Sequence, residues 1–319
     1  MYPKEESLRN YNLDLLKTLC AFLVVVAHFG RDSFLISFAT LAVPVFMILS
    51  FYFFYDKICS VDIIQRIRRL AVPLVGWAII YFLIYYFVLK MHDLTISDLL
   101  YQSVTGHDAK LNASMWFQNN LIILTLVAFF LFKKFQKHFF IIMLCCCITA
   151  YILQYSGVNY HLFANLGSEL KYPLGRLTEM VPFMVVGLVL KKYDLLHNFS
   201  ERLIYLWIVL FICVHALIRI HVPMSFGYAG IKLCMLSVIL VFLFNSIPQG
   251  NRFYKNILRI ITQNTLGIYC IHRLVEKFLH PYIFTEYNTF YCLIIFVVSW
   301  IICYGISKIP SKNIQALVK

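Results

Sequence analysis

The stretch from Asn12 to His28, NLDLLKTLCAFLVVVAH, decides how the rest of the chain is read. It is an apolar helix fit to enter a bilayer, and it carries one lysine and one histidine with it. Lys17 and His28 stand eleven residues apart. At 3.6 residues per turn this spacing returns them to nearly one face, about 16 Å apart along the axis. An ammonium and an imidazole inside a lipid-embedded helix are costly, and packing gives no reason for them.

Outward from this helix the composition stays apolar. Hydrophobic residues make up 61% of the 319 and charged residues only 13%, so the chain reads as an all-α, polytopic membrane bundle and not as a globular domain on an anchor. Apolar runs predict about ten spans, near 13–31, 35–54, 71–89, 119–132, 139–155, 175–190, 203–220, 229–246, 264–280 and 288–307, in one domain over 1–319. Basic residues punctuate alternate loops: Lys57 with Arg66, Arg68 and Arg69; Lys133, Lys134 and Lys137; Lys191 and Lys192; Lys255 and Arg259; Lys308 and Lys312. By the positive-inside rule both termini are then expected to be cytosolic. The same rule accounts for the net charge of +13, so no nucleic-acid partner is needed.

Nine of the ten cysteines fall in apolar spans, and Cys59 lies in a basic loop. No histidine or carboxylate stands at ligand spacing around Cys145, Cys146 and Cys147, so neither a metal nor a disulfide is expected. A cleaved signal peptide is not expected either, because the first apolar run passes into FGRDSF without a small-residue cleavage site. The two longest connections, 90–118 and 156–174, are assigned to the outer side. They carry Asp93, Asp98, His107 and Asp108, and then Asn159, His161 and Glu169, residues able to receive a hydrophilic substrate or simply to cover helix ends.

Six blocks carry a resemblance: NLDLLKTLCAFLVVVAHF, AVPVFMILSFYFF, RIRRLAVPLVGW, MWFQNNLIILTL, EMVPFMVVGLVL and NTLGIYCIH. In order and spacing the chain resembles the membrane acyltransferase family 3, bacterial O-acetyltransferases of sugars and cell-envelope glycans. The resemblance implies a ten-helix domain that moves an acetyl or other short acyl group from acetyl-CoA or a similar acyl-CoA to a hydroxyl of a sugar, lipid-linked or envelope glycan. It also implies an essential histidine at His28, its basic partner at Lys17, and roles for Arg68 and Arg69. Two positions depart from the family pattern: Lys17 stands where arginine is usual, and Phe51 where glycine is usual. The periplasmic hydrolase-like domain of many relatives has no counterpart in this chain.

Acyl transfer from a thioester to an alcohol needs a base for the hydroxyl proton, and His28 is the candidate. Charge building on the carbonyl oxygen needs fixed donors, for which Ser50, Asn119, Asn264, Thr265 and Tyr269 are candidates. Lys17 reads either as a contact to donor phosphates or as the partner of Asp14 three residues earlier. Arg66, Arg68 and Arg69 suit phosphates, although topology alone demands basic residues there. Glu179, Trp116 and Asn119 are candidate acceptor contacts. The alternatives are an ion pair of Glu179 with Arg176 and an interfacial-belt role for Trp116. His272, with Asn264 and Tyr269, is a candidate supporting residue, and for His272, Arg273 and Glu276 structural pairing is favoured over catalysis. His28 falls in the outer half of its span while acyl-CoA is cytosolic, so donor and acceptor must meet through a funnel or through an acyl-enzyme relay. A transporter or flippase of a polysaccharide precursor, or a non-catalytic partner of glycan assembly, is the alternative function.

Overall fold

The structure, a computed structural model, describes residues 10–30, 33–58, 63–107, 110–112, 114–155, 168–198, 203–221, 231–248, 250–282 and 289–318. These residues are helical almost throughout: α1 (Tyr11–Phe29), α2 (Ser33–Ala39), α3 (Ala42–Tyr55), α4 (Ile63–Leu83, continued by a π turn over Ile84–Val88), α5 (Ile96–Thr105), α6 (Trp116–Phe135) and α7 (Phe139–Tyr155). Then follow α8 (Ser168–Lys192), α9 (Leu195–Asn198), α10 (Ile204–His221), α11 (Ile231–Asn245), α12 (Arg252–Thr262), α13 (Thr265–Leu279), α14 (Thr289–Lys308) and α15 (Lys312–Gln315). The expected Asn159 and His161 loop lies outside the described residues, as do Cys59, Asp108 and the side chain of Glu169.

The all-α architecture agrees with the expectation, but the count of ten spans does not. Five helices among the described residues are long and apolar enough to cross a membrane: Tyr11–Phe29, Phe34–Tyr55, Ile63–Val88, Trp116–Phe135 and Thr289–Lys308. Phe139–Leu153, Ile204–Val214 and Leu233–Asn245 are shorter apolar stretches within α7, α10 and α11, helices of 17, 18 and 15 residues. At about 1.5 Å per residue α7 and α11 fall short of a core about 30 Å thick. The remaining two predicted spans fail on charge or length: α8 mixes apolar turns with Arg176, Glu179, Lys191 and Lys192, and α13 has 15 residues including His272, Arg273, Glu276 and Lys277. The even count that set both termini on one side falls with the ten.

Local chemistry explains the element ends. The Asn10 side chain caps α1 by accepting from the backbone N–H of Asn12 at 3.0 Å and of Leu13 at 3.2 Å, and Asp14 in the first turn favours the positive end of the helix dipole. Thr95 and Asp98 form a reciprocal capping box on α5, which ends at Gly106 with φ of 67°. Pro73 removes an N–H inside α4, and in the same turn Gln118 Nε2 of α6 donates to the Leu70 carbonyl at 2.6 Å.

α1 runs through the centre and touches α2, α3, α11, α12, α13 and α14. Its Leu13, Leu16, Cys20, Val24 and Val25 are fully buried. Around the bundle large apolar side chains point outward, among them Phe87, Phe130, Ile141 and Phe290, as expected of a surface facing lipid. Where α8 crosses α3, a Cβ on Gly187 would collide with the Ile48 carbonyl, so the small residue sets how closely these helices approach. The fully buried Tyr81 links α4 to α13: its hydroxyl donates to the Cys270 carbonyl at 2.9 Å and accepts from the Leu274 N–H at 3.1 Å.

Candidate active site

Two adjoining cavities, of about 180 and 270 Å³, open among α1, α3, α4, α6 and α13. They share Ser50, Arg66, Leu70 and Leu266 and so lie side by side. The smaller is rimmed by Lys57, Gln65, Arg66 and Arg69; the larger is walled by Phe46, Phe117 and Tyr269, with Lys17 and Thr265 at its polar edge. One end is therefore basic and the other aromatic. That polarity suits a ligand with an anionic head and an apolar arm.

Arg66 organises the basic end. Its Nη2 donates to Ser50 Oγ at 2.8 Å and to the Ser50 carbonyl at 3.4 Å, its Nε donates to Thr125 Oγ1 at 3.3 Å, and its guanidinium lies 4.4 Å from the Phe54 ring centroid. Sequence reasoning favoured Arg68 and Arg69. Arg69 lines the cavity and Arg68 does not, although both are exposed; Arg66 takes the inward place. The missed signal was spacing, since residues three apart share a helix face and adjacent ones do not. Phe51 is fully buried, meets Phe54 edge-on at 5.9 Å and lies 5.8 Å beneath the Arg66 guanidinium. The large ring supports the face of α3 that presents Ser50.

Lys17 Nζ sits 3.3 Å from Asp14 Oδ1 and 4.3 Å from the Phe53 ring centroid, and it faces the larger cavity. Both readings of Lys17 are thus met geometrically: it pairs with Asp14 and it lines the cavity. Among the oxyanion candidates, Ser50 accepts from Arg66 and keeps its hydroxyl hydrogen unclaimed among the described residues. The Tyr269 hydroxyl donates to the Ser114 carbonyl, and Thr265 Oγ1 donates to the Thr262 carbonyl at 3.0 Å. Asn264 is buried, gives Nδ2 to the Ile260 carbonyl at 3.0 Å and leaves Oδ1 without a partner among the described residues. Asn119, half-exposed on α6, does not line the cavity.

His28 lies at the other end of α1, beyond Tyr269 and outside the cavity lining. Two residues of α13 gather on it. Arg273 Nη2 donates to His28 Nδ1 at 2.9 Å, while Arg273 Nε donates to Ser114 Oγ at 2.5 Å. The His272 ring stacks on that of His28 with centroids 5.2 Å apart and planes at 25°. His272 is fully buried, its Nδ1 lies 3.2 Å from the Ile268 carbonyl, and its Nε2 has no partner among the described residues. His28 is itself exposed. Tyr269 stands between the two regions, its ring 5.9 Å from Phe117 on the cavity side and 6.2 Å from His272 on the other. The pairing of His28 with Arg273 had no sequence signal, because the two are 245 residues apart.

A separate polar cluster involves α6 and α8. Arg176 Nη1 is 2.7 Å from Glu179 Oε2, and the same guanidinium lies 5.9 Å from the Trp116 ring. Glu179 and Trp116 are buried, and neither lines the basic cavity. Among the described residues no group of three His, Cys, Asp or Glu side chains is arranged to hold a metal ion.

A family model described as an acyltransferase domain matches residues 10–307. Comparison with curated proteins and with solved structures gives no match.

Proposed function

The chain belongs to the membrane acyltransferase family 3, whose model spans almost its whole length, and from that premise we propose that it transfers a short acyl group, acetyl first among them, from acyl-CoA to a hydroxyl of an envelope glycan, with His28 as the base. The observation that carries the reading is the pair of adjoining cavities, with Arg66, Arg69 and Lys57 at one end and Phe46, Phe117 and Tyr269 at the other. In this account the guanidinium and ammonium groups hold the coenzyme's phosphates, and the acyl-bearing arm lies along the aromatic wall. The mouth with Lys57 and Arg69 faces the cytosol, where the donor is made.

The acceptor approaches from the opposite end, where His28 is exposed. Its hydroxyl oxygen attacks the thioester carbon as the hydroxyl proton passes to the imidazole. The carbonyl oxygen takes up negative charge as it does so, while Ser50 and Lys17 stay at the donor end, Lys17 about 16 Å from His28 along α1. The C–S bond then breaks, the carbonyl reforms, and the leaving thiolate recovers the proton from His28. Tyr269 lies on the path between arm and base, so its ring has to turn aside for the thioester to reach the histidine. Arg176, Glu179 and Trp116 offer an ion pair and an aromatic face of the kind that sugar hydroxyls and rings use, and we assign the acceptor to their side.

Labelled acetyl-CoA supplied to membranes carrying the protein tests this. Wild type transfers label to glycan, and His28→Ala at equal abundance does not. Equal label in both removes the base assignment. Loss of precursor movement with label unaffected would instead make the protein a transporter.

A further inference from the structure

The contact between Arg273 and His28 fixes which nitrogen of His28 carries the proton. A guanidinium has only N–H donors and no lone pair to offer, so the nitrogen 2.9 Å from Arg273 Nη2 must be the unprotonated one. That nitrogen is Nδ1. The neutral ring therefore holds its hydrogen on Nε2, the reverse of the arrangement in which a carboxylate accepts from Nδ1–H and leaves Nε2 as the base.

We infer that Arg273 is a positioning residue that reserves Nδ1 of His28 as the proton-accepting atom and occupies the place that the acceptor hydroxyl takes. This rests on the reading of His28 as base. Three observations carry it. The ring is held on two sides, in its plane by Arg273 and across its face by His272, so it is set in one orientation. Arg273 has a second anchor, its Nε donating to Ser114 Oγ at 2.5 Å, about which the Nη2 end can swing away while the residue stays in the site. His272, with Nδ1 against the Ile268 carbonyl, is fixed by its own helix and not by His28.

The proton balance demands the exchange. When the hydroxyl O–H breaks and an N–H forms on Nδ1, the electron pair stays on the attacking oxygen and the imidazole becomes a cation. An imidazolium has no lone pair for Arg273 to donate into, and two cations at hydrogen-bond distance repel. The guanidinium must therefore leave Nδ1 as the hydroxyl arrives. Released, it remains tethered at Ser114 beside the reacting groups.

Diethyl pyrocarbonate, which acylates an imidazole nitrogen only through its lone pair, tests this without turnover. The full chain in proteoliposomes is treated at neutral pH, and modification of His28 is read by peptide mass spectrometry against the exposed His92 as internal reference. Arg273→Met uncaps Nδ1 and raises the His28 to His92 ratio roughly tenfold, the order of one lost charge-assisted hydrogen bond. Arg273→Lys restores a donor-only cation and holds the ratio within about twofold of wild type. Ser114→Ala loosens the anchor and raises the ratio roughly threefold, which decides the matter if Arg273→Met does not accumulate. Equal ratios in wild type and in whichever of Arg273→Met and Ser114→Ala accumulates, or an Arg273→Lys ratio as high as that of Arg273→Met, would overturn the inference. Full labelled-acetyl transfer by His28→Ala would remove the base role and leave these ratios as they are, so the two failures are told apart.

Discussion

Replacing Gly187 with alanine should damage the donor cavity without touching it. Gly187 lies on α8, away from the cavity, but its Cβ position is occupied by the Ile48 carbonyl oxygen, with Phe51 Cβ at 3.0 Å and the Ile48 carbonyl carbon at 3.1 Å. Two of the three obstacles are backbone, so the methyl cannot be accommodated by a rotamer change. α3 has to move by roughly 1 Å, and overpacking of this kind costs about 1–3 kcal/mol. Each kcal/mol corresponds to about 2–4 °C in Tm for a chain of a few hundred residues, so a fall of roughly 2–12 °C is expected in detergent. Because α3 also carries Phe46, Leu49, Ser50 and Phe53 on the cavity wall, the KM for acetyl-CoA should rise with the loss of stability. Gly175 is the control, since a Cβ there on the same helix meets nothing within 4 Å. Gly175→Ala should be neutral or stabilising by about 0.5–1 kcal/mol. Equal Tm and KM values for the two alanine variants would refute the argument.

Three further outcomes are expected. Lys17→Met removes the ammonium 3.3 Å from Asp14 and should lower stability by about 1–3 kcal/mol as well as abolish acetyl transfer, whereas Lys17→Arg keeps both; thermal melts and label incorporation would check this. Glu179→Gln weakens the 2.7 Å pair with Arg176 and should cost about 1–3 kcal/mol while leaving the KM for acetyl-CoA unchanged, because the pair is remote from the donor cavity. At the α5 cap, burial pushes the Asp98 carboxyl up, but hydrogen bonds from the Thr95 N–H and hydroxyl, with Lys110 nearby, outweigh it and hold it below the usual carboxylate value. A lowered folded-state value means stability that is complete above the unfolded value of about 3.9 and lost as the pH falls through the folded one. The advantage of wild type over Asp98→Asn should thus hold near neutrality and vanish in acid, as melts across pH would show.

The helices themselves were legible because hydrophobic periodicity and end signals are local: Asn10 with Asp14 opens α1, and Thr95 with Asp98 opens α5. Whether an apolar helix is long enough to span was not, since a run of apolar residues reads alike in α7 and in α6 while its helix limits depend on what packs against it. The arginines of RIRRL show the same divide. Charge placed RIRRL at a helix entrance, but only helical phase separates Arg66 and Arg69, which line the cavity, from Arg68, which does not. The ion pair of Glu179 with Arg176 and that of Lys17 with Asp14 follow from i,i+3 spacing and could be read directly. Arg273 beside His28 could not, because contacts between α1 and α13 leave no trace in local pattern.

Equilibrium binding of acetyl-CoA to the purified protein, compared among wild type, an Arg66→Met/Arg69→Met double variant and His28→Ala, bears most directly on the division of labour between the two ends of the site. Losing two phosphate-binding guanidinium groups should weaken the dissociation constant by a factor of roughly 100, at about 1.5 kcal/mol each, while His28→Ala binds as wild type does. Unaltered binding in the arginine variant, or weakened binding in His28→Ala alone, would contradict the account.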